Sequence, residues 1–131
     1  MPVRSLSSSI IKWPSGDGVR GAARRWVKEM VAQRPDIVRV GYFGSYARGD
    51  WGVGSDLDMI IVVKGSDVAF EKRATQWDTT ALPVPVDLLV YTTSEWESLE
   101  PDSRFCRTIA RESVWLYGES ASSSVPGSSA I

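Results

Sequence analysis

Gly44-Ser45-Tyr46-Ala47-Arg48-Gly49-Asp50-Trp51-Gly52-Val53-Gly54-Ser55-Asp56-Leu57-Asp58 decides how the chain is read, because it links two apolar runs and carries most of the candidate chemistry. Before it, Ile37 to Phe43 reads as a buried strand stopped by Gly44; after it, Leu57 to Val63 is an unbroken apolar strand. Ser45 to Gly49 suffices for about one helical turn, and Trp51 to Gly54 is a glycine-rich loop. A parallel return needs a crossover of about a dozen residues or more. The excursion is barely that, so the strands are expected to lie antiparallel, with Gly44 next to Asp56.

Gly44-Ser45 stands where a strand hands over to a helix start, a place where unpaired backbone N–H groups and the helix dipole favour a phosphate. Asp56 and Asp58 lie two apart at the head of a strand, so their side chains share one face and can share a hard cation, while Leu57 points into the core. Farther on, Asp87 interrupts the apolar run Val86 to Val90. A carboxylate buried there without a partner would cost several kcal/mol or shift its pKa, and a metal would satisfy it. If its strand neighbours that of Asp56 and Asp58, three carboxylates converge beside a phosphate cradle, as two-metal phosphoryl transfer requires.

The rest of the chain limits the alternatives. At 131 residues and 14.4 kDa it fits one domain. Lys plus Arg number 15 against 16 for Asp plus Glu, so no overall cationic field exists to drive general nucleic-acid binding. With no histidine and one cysteine, Cys106, a zinc site of the usual type, an internal disulfide and His-based triads are excluded, leaving oxygen-bound metals and carboxylate chemistry. No apolar run approaches the roughly 18 residues of a membrane span, and no signal peptide is visible, so a cytoplasmic location without membrane contact is expected.

Outward from the central stretch, residues 1–18 read as a lead-in, with an apolar patch (Ile10, Ile11, Trp13) and the breakers Pro14, Gly16 and Gly18. From Val19 an amphipathic helix runs to Pro35, placing Trp26 inside and Arg24, Arg25 and Lys28 outside. Ser66 can cap a helix to about Thr80 that buries Phe70 and Trp77, and Val86 to Tyr91 is a third strand. Thr93 or Ser94 can cap a short acidic turn, and Ser103 a helix to Glu112 with Phe105 and Ile109 inward. Val114 to Tyr117 adds an edge strand, which leaves 19–118 as the domain and 119–131 as a disordered Ser-rich tail. Strands interleaved with helices, one pair antiparallel, give an α+β (α/β sandwich) class with a small mixed sheet packed against helices.

The run Gly44 to Gly49, followed by Ser55-Asp56-Leu57-Asp58 with ten residues between Ser45 and Asp56, resembles the signature of the DNA polymerase beta superfamily of nucleotidyltransferases. The spacing is that of its minimal nucleotidyltransferase domains, including the MntA-like antitoxins, and Val86 to Val90 falls where the family carries a third carboxylate. The resemblance implies a nucleotidyltransferase fold in which Gly44 and Ser45 contact a nucleoside triphosphate. Asp56, Asp58 and Asp87 would bind magnesium, two ions in all, and Asp87 would help deprotonate the acceptor. It further implies transfer of AMP from ATP to a hydroxyl, with a tyrosine of a HEPN-domain toxin as acceptor in the antitoxin type. The apolar loop Trp51 to Gly54 departs from the charged loop of the family and bears on acceptor choice.

Two rivals stay open: a non-catalytic nucleotide- or partner-binding module of the same fold, and a transferase acting on a small molecule. Since a second, substrate domain is lacking, the acceptor site is expected to be completed by a partner or another copy, as a homo- or hetero-oligomer. Other side chains have plainer roles. Arg48 is either ion-paired or turned toward phosphate, Lys64 and Lys72 are surface charges, and Trp26, Trp77 and Trp115 occupy core-like positions. Trp51 could stack on a base but is more simply a packing residue, and Cys106 is a small buried hydrophobe.

Overall fold

Ser15 starts the first helix: its hydroxyl accepts the Gly18 N–H at 2.9 Å, so α1 spans Gly16–Gln33. In this computed structural model, which describes residues 14–118, the helix therefore begins three residues before Val19. The breakers did not prevent this because the Ser15 cap, the acidic Asp17 in the first turn and the Asp17–Arg20 ion pair at 2.6 Å offset the cost of two glycines. Gly16 also fits for a packing reason, since a Cβ there would collide with the Trp51 indole. The apolar patch at Ile10, Ile11 and Trp13 and the Ser-rich tail lie outside the described residues.

Four strands follow: β1 (Ile37–Phe43), β2 (Leu57–Val63), β3 (Val86–Thr92) and β4 (Val114–Tyr117), in the sheet order β3-β2-β1-β4. β1 pairs antiparallel with both β2 and β4, while β2 and β3 run parallel, so the sheet is mixed and the fold is α+β. The antiparallel β1–β2 link carries the one-turn helix α2 (Ser45–Arg48). The parallel β2–β3 link contains α3 (Phe70–Arg73) and a 3-10 turn, Ala74–Gln76; α4 (Thr93–Glu97) and α5 (Arg104–Glu112) precede β4. No helix among the described residues is long and apolar enough to cross a membrane.

Period-two alternation divides the sheet into two apolar faces. Leu57, Met59 and Ile61 of β2 join Val40, Tyr42, Leu88 and Val90 against Val19, Ala23, Trp26 and Val27 of α1. Ile60 and Val62 face the opposite way, against Trp96 of α4 and Ile109 of α5. Asp58 belongs to this second face by alternation, as does Asp87 with Leu89 and Tyr91. Cys106 is buried beside Ser103, whose hydroxyl caps α5 by accepting the Cys106 N–H at 3.1 Å.

Two elements depart from the sequence expectation. The helix from Ser66 to Thr80 is a single turn plus a 3-10 turn, because Ser66 closes a tight turn with the Val68 N–H at 3.1 Å instead of capping a helix. Trp77 is in extended conformation and packs on Trp26, with ring centroids 6.4 Å apart, whereas Phe70 remains 37% exposed. Neither Thr93 nor Ser94 caps α4. Thr92 does, in a capping box with Glu95, and Trp96 behind it is a core residue.

Candidate active site

The stretch from Gly44 to Asp58 is organised by the β1–β2 register. Phe43 pairs with Asp58, so the residue lying against Gly44 is Asp58 and not Asp56, which sits before the ladder begins. Gly44 has φ 81° and ψ −153°, a conformation left to glycine, and a Cβ on it would occupy the place of Asp58 Oδ2. The requirement is therefore double: backbone conformation and close approach. From this turn α2 starts, with the Ala47 and Arg48 N–H groups returning to the Gly44 carbonyl at 3.0 and 2.9 Å.

On the other side of β2 the parallel register pairs Asp58 directly with Asp87. Neighbouring strands lie about 4.8 Å apart, so Asp58 and Asp87 share one rim and one face of the sheet, while Asp56, just before β2, is near enough for its charge to act on Asp58. Asp87 is exposed rather than buried, which corrects the expectation for that position: it is the second residue of an edge strand, at the rim where solvent reaches. Its apolar neighbours in sequence belong to the strand interior.

Asp58 carries the electrostatic signature of the site. Burial pushes its carboxyl up to about 6, the charges of Asp87 and Asp56 push in the same direction, Arg48 opposes them, and Glu112 adds to them. Desolvation and like charges both disfavour the ionised form, so a cation bound here would relieve a cost already present. The donor set is all oxygen, which suits magnesium, an ion held by one or two carboxylates plus phosphate oxygens and water. Among the described residues no group of three or more metal-ligating side chains is drawn together as a ready cage. A magnesium ion sharing its shell with a triphosphate does not need one.

Glu112, the last residue of α5, was not singled out by the sequence. Its Oε2 accepts the Gly44 N–H at 2.8 Å, and Oε1 and Oε2 face Arg48 Nη1 at 3.4 and 3.1 Å. The Gly44 N–H is therefore engaged within the protein, which leaves Ser45 as the nearer candidate for phosphate contact. One signal could have pointed to Glu112: an acid at a helix C-terminus opposes the macrodipole. Arg48 also pairs with Asp50 at 3.0 Å and is ion-paired in the frame of the site. Trp51 stacks on Tyr46, with centroids 5.8 Å apart and planes 9° from parallel, so one of its faces is already covered. Lys64 and Lys72 are exposed.

The Gly44 turn lies against Asp58, and Asp58 stands in register with Asp87 across the parallel β2–β3 pair. The family model for the nucleotidyltransferase domain matches residues 24–116, and the chain belongs to that family, a family of nucleotidyltransferases. No curated protein sequence matches it. Among solved structures, one from Sulfolobus solfataricus assigned to the nucleotidyltransferases is 24% identical, over 76% of this chain and 80% of that one, with a TM-score of 0.54. A toxin–antitoxin complex with AMP-PNP contains a chain 20% identical, over 73% of each, with a TM-score of 0.52. A mutant of the toxin–antitoxin pair MntA–HpeT gives 20% identity, 72% of each chain and a TM-score of 0.51. These likenesses establish a shared fold.

Proposed function

We propose that the chain is a magnesium-dependent nucleotidyltransferase that moves AMP from ATP to a hydroxyl, with a tyrosine of a HEPN-type partner as the acceptor. The observation that carries it is Asp58, paired in register with Asp87, following Asp56 and raised to about 6 beside the Gly44 turn. Ser45, at the head of α2, contacts the triphosphate, with Gly44 allowing the close approach. Asp56, Asp58 and Asp87 hold magnesium, which when bound neutralises phosphate charge and lowers the cost of a negative acceptor oxygen. Asp87, which is exposed at the rim, takes the proton from the acceptor hydroxyl in this reading. The acceptor oxygen then bonds to the α-phosphorus, the bond to the bridging oxygen breaks, and pyrophosphate leaves.

The antitoxin assignment draws on the toxin–antitoxin neighbours of the fold. It fits a site that stands open at a sheet rim, where a partner can deliver its acceptor. The test is incubation of the chain with ATP labelled at the α-phosphate, magnesium and a HEPN-domain protein. Label is expected on a partner tyrosine and is expected to be lost with Asp56→Asn or Asp87→Asn. Labelling unaffected by either substitution would remove the assignment of these acids; labelling of a small hydroxyl compound instead would move the acceptor class.

A further inference from the structure

Glu112 stands where general preferences speak against a carboxylate. It ends α5, where the helix dipole favours a cation. Its side chain is only 8% exposed, and its charge repels that of Asp58. Such a group is retained in a buried place only with good partners. Its partners are specific: the backbone N–H of Gly44 at 2.8 Å and the Arg48 guanidinium at 3.1 Å. The Asp58 carboxylate also lies against Gly44, where a Cβ would stand. The turn at Gly44 is thus hydrogen-bonded by a side chain of α5 and approached closely by one of β2.

We propose that Glu112 is a positioning residue for nucleotidyl transfer: through the Gly44 N–H it fixes the Gly44–Ser45 turn against β2, so that Ser45 meets the triphosphate in an ordered place. The inference rests on the reading of that turn as the triphosphate cradle. A rival role predicts the opposite sign. A carboxylate that merely repelled phosphate, or occupied its place and had to leave, would weaken binding, and its removal would tighten it.

The test compares wild type with Glu112→Ala, Glu112→Gln and Glu112→Asp in the full chain, measuring AMP-PNP affinity with magnesium by calorimetry. Manganese affinity without nucleotide is measured alongside. Gln keeps the length and an oxygen acceptor for the Gly44 N–H but loses the charge; Asp keeps the charge but is shorter by one methylene. AMP-PNP binding is expected to weaken about tenfold in Ala and in Asp and to stay within about threefold of wild type in Gln. Manganese affinity is expected to stay within about threefold in all of them, since the metal carboxylates are not displaced.

If the Ala variant fails to fold, the Gln and Asp variants decide. Tighter binding in Ala or Gln, Asp equal to wild type with Gln weakened, or a loss of manganese affinity parallel to that of nucleotide would overturn the positioning role. Variants that all bind like a nucleotide-competent wild type would overturn this inference alone. A wild type that binds no AMP-PNP would overturn the proposed function together with it.

Discussion

Two arginine–glutamate pairs flank the sheet and are built in opposite ways. In Arg73–Glu95 the cation is the buried partner, 7% exposed against 41% for the acid. The contacts are bidentate at 2.6 and 2.9 Å, and Nε and Nη1 also donate to the Val68 and Val90 carbonyls at 2.8 and 3.0 Å. Arg48–Glu112 reverses this, with the arginine 47% exposed and the acid 8%. Here the shortest bond of the carboxylate goes to backbone, at Gly44, and the arginine is shared with Asp50. The first pair closes upon itself and ties α3 and α4 to β3. The second leaves its cation in water and uses its anion to hold a turn beside the candidate catalytic acids. Burial of the cation marks an architectural clamp; burial of the anion next to other anions marks a site.

The most severe break in this contrast is chemical. Asp58→Asn is expected to lower nucleotidyl transfer by about a thousandfold, roughly 4 kcal/mol of transition-state stabilisation. The melting temperature should not fall. Asp58 has a folded-state pKa raised to about 6, so what it contributes to stability is present at acid pH and is lost as pH rises through 6. At neutral pH a neutral side chain there costs nothing and should raise the melting temperature if it changes it at all. A large destabilisation together with retained transfer would mean that the acid is architectural.

Arg73→Met should show the converse. It strands the Val90 carbonyl and half of the Glu95 carboxylate, and is expected to cost about 2–4 kcal/mol in urea unfolding while leaving AMP-PNP affinity of the folded protein unchanged. The pH dependence has a definite sign. Bonding to Arg73 holds the Glu95 carboxyl down at about 2, against an ordinary 4.5, with the Thr92 bonds helping and burial opposing. A lowered folded pKa stabilises above 4.5, and that stabilisation disappears as pH falls from 4.5 toward 2. The gap between wild type and Arg73→Met should therefore narrow over that window.

How far the two regions could be read from sequence follows from the same difference. β1, β2 and their antiparallel pairing were legible because apolar runs and a short excursion leave few alternatives, and the face taken by Asp58 follows from the alternation of β2. The Gly44–Glu112 bond was not, since it joins a backbone N–H to a side chain 68 positions away and leaves no periodic trace. Asp87 was legible as an acid in an apolar strand but not in its exposure, which depends on β3 being an edge. Phe70 and Trp77 suggested one helix face because their spacing is seven, yet Trp77 takes its place by packing on Trp26 in extended conformation. The α4 cap was within reach: Thr92 followed three residues later by Glu95 is a capping-box pattern.

A smaller effect distinguishes the acids at the site by titration. Since Asp58 holds a proton up to about pH 6, manganese must displace that proton in more acid solution. Affinity is expected to be flat above about pH 7 and to fall by up to about tenfold per unit below 6. Asp58→Asn should bind more weakly throughout and lose this dependence. A wild-type profile flat down to pH 4.5 would show that Asp58 is not a ligand.

A small effect on stability is expected from Arg48→Gln, and it is the sharpest check on the contrast. The guanidinium is exposed and divided between two carboxylates, so its side of these pairs is screened, while the buried Glu112 keeps the Gly44 N–H but loses its cationic partner. The melting temperature should fall slightly, by less than in Arg73→Met, because Glu112 keeps one of its two partners. The Glu112 carboxylate would still accept the Gly44 N–H, so AMP-PNP affinity should fall less than in Glu112→Ala. If instead Arg48→Gln matched Glu112→Ala in both melting and binding, arginine and glutamate would act as one closed unit, as Arg73 and Glu95 do. The grip on Gly44 would then belong to the pair and not to the buried acid.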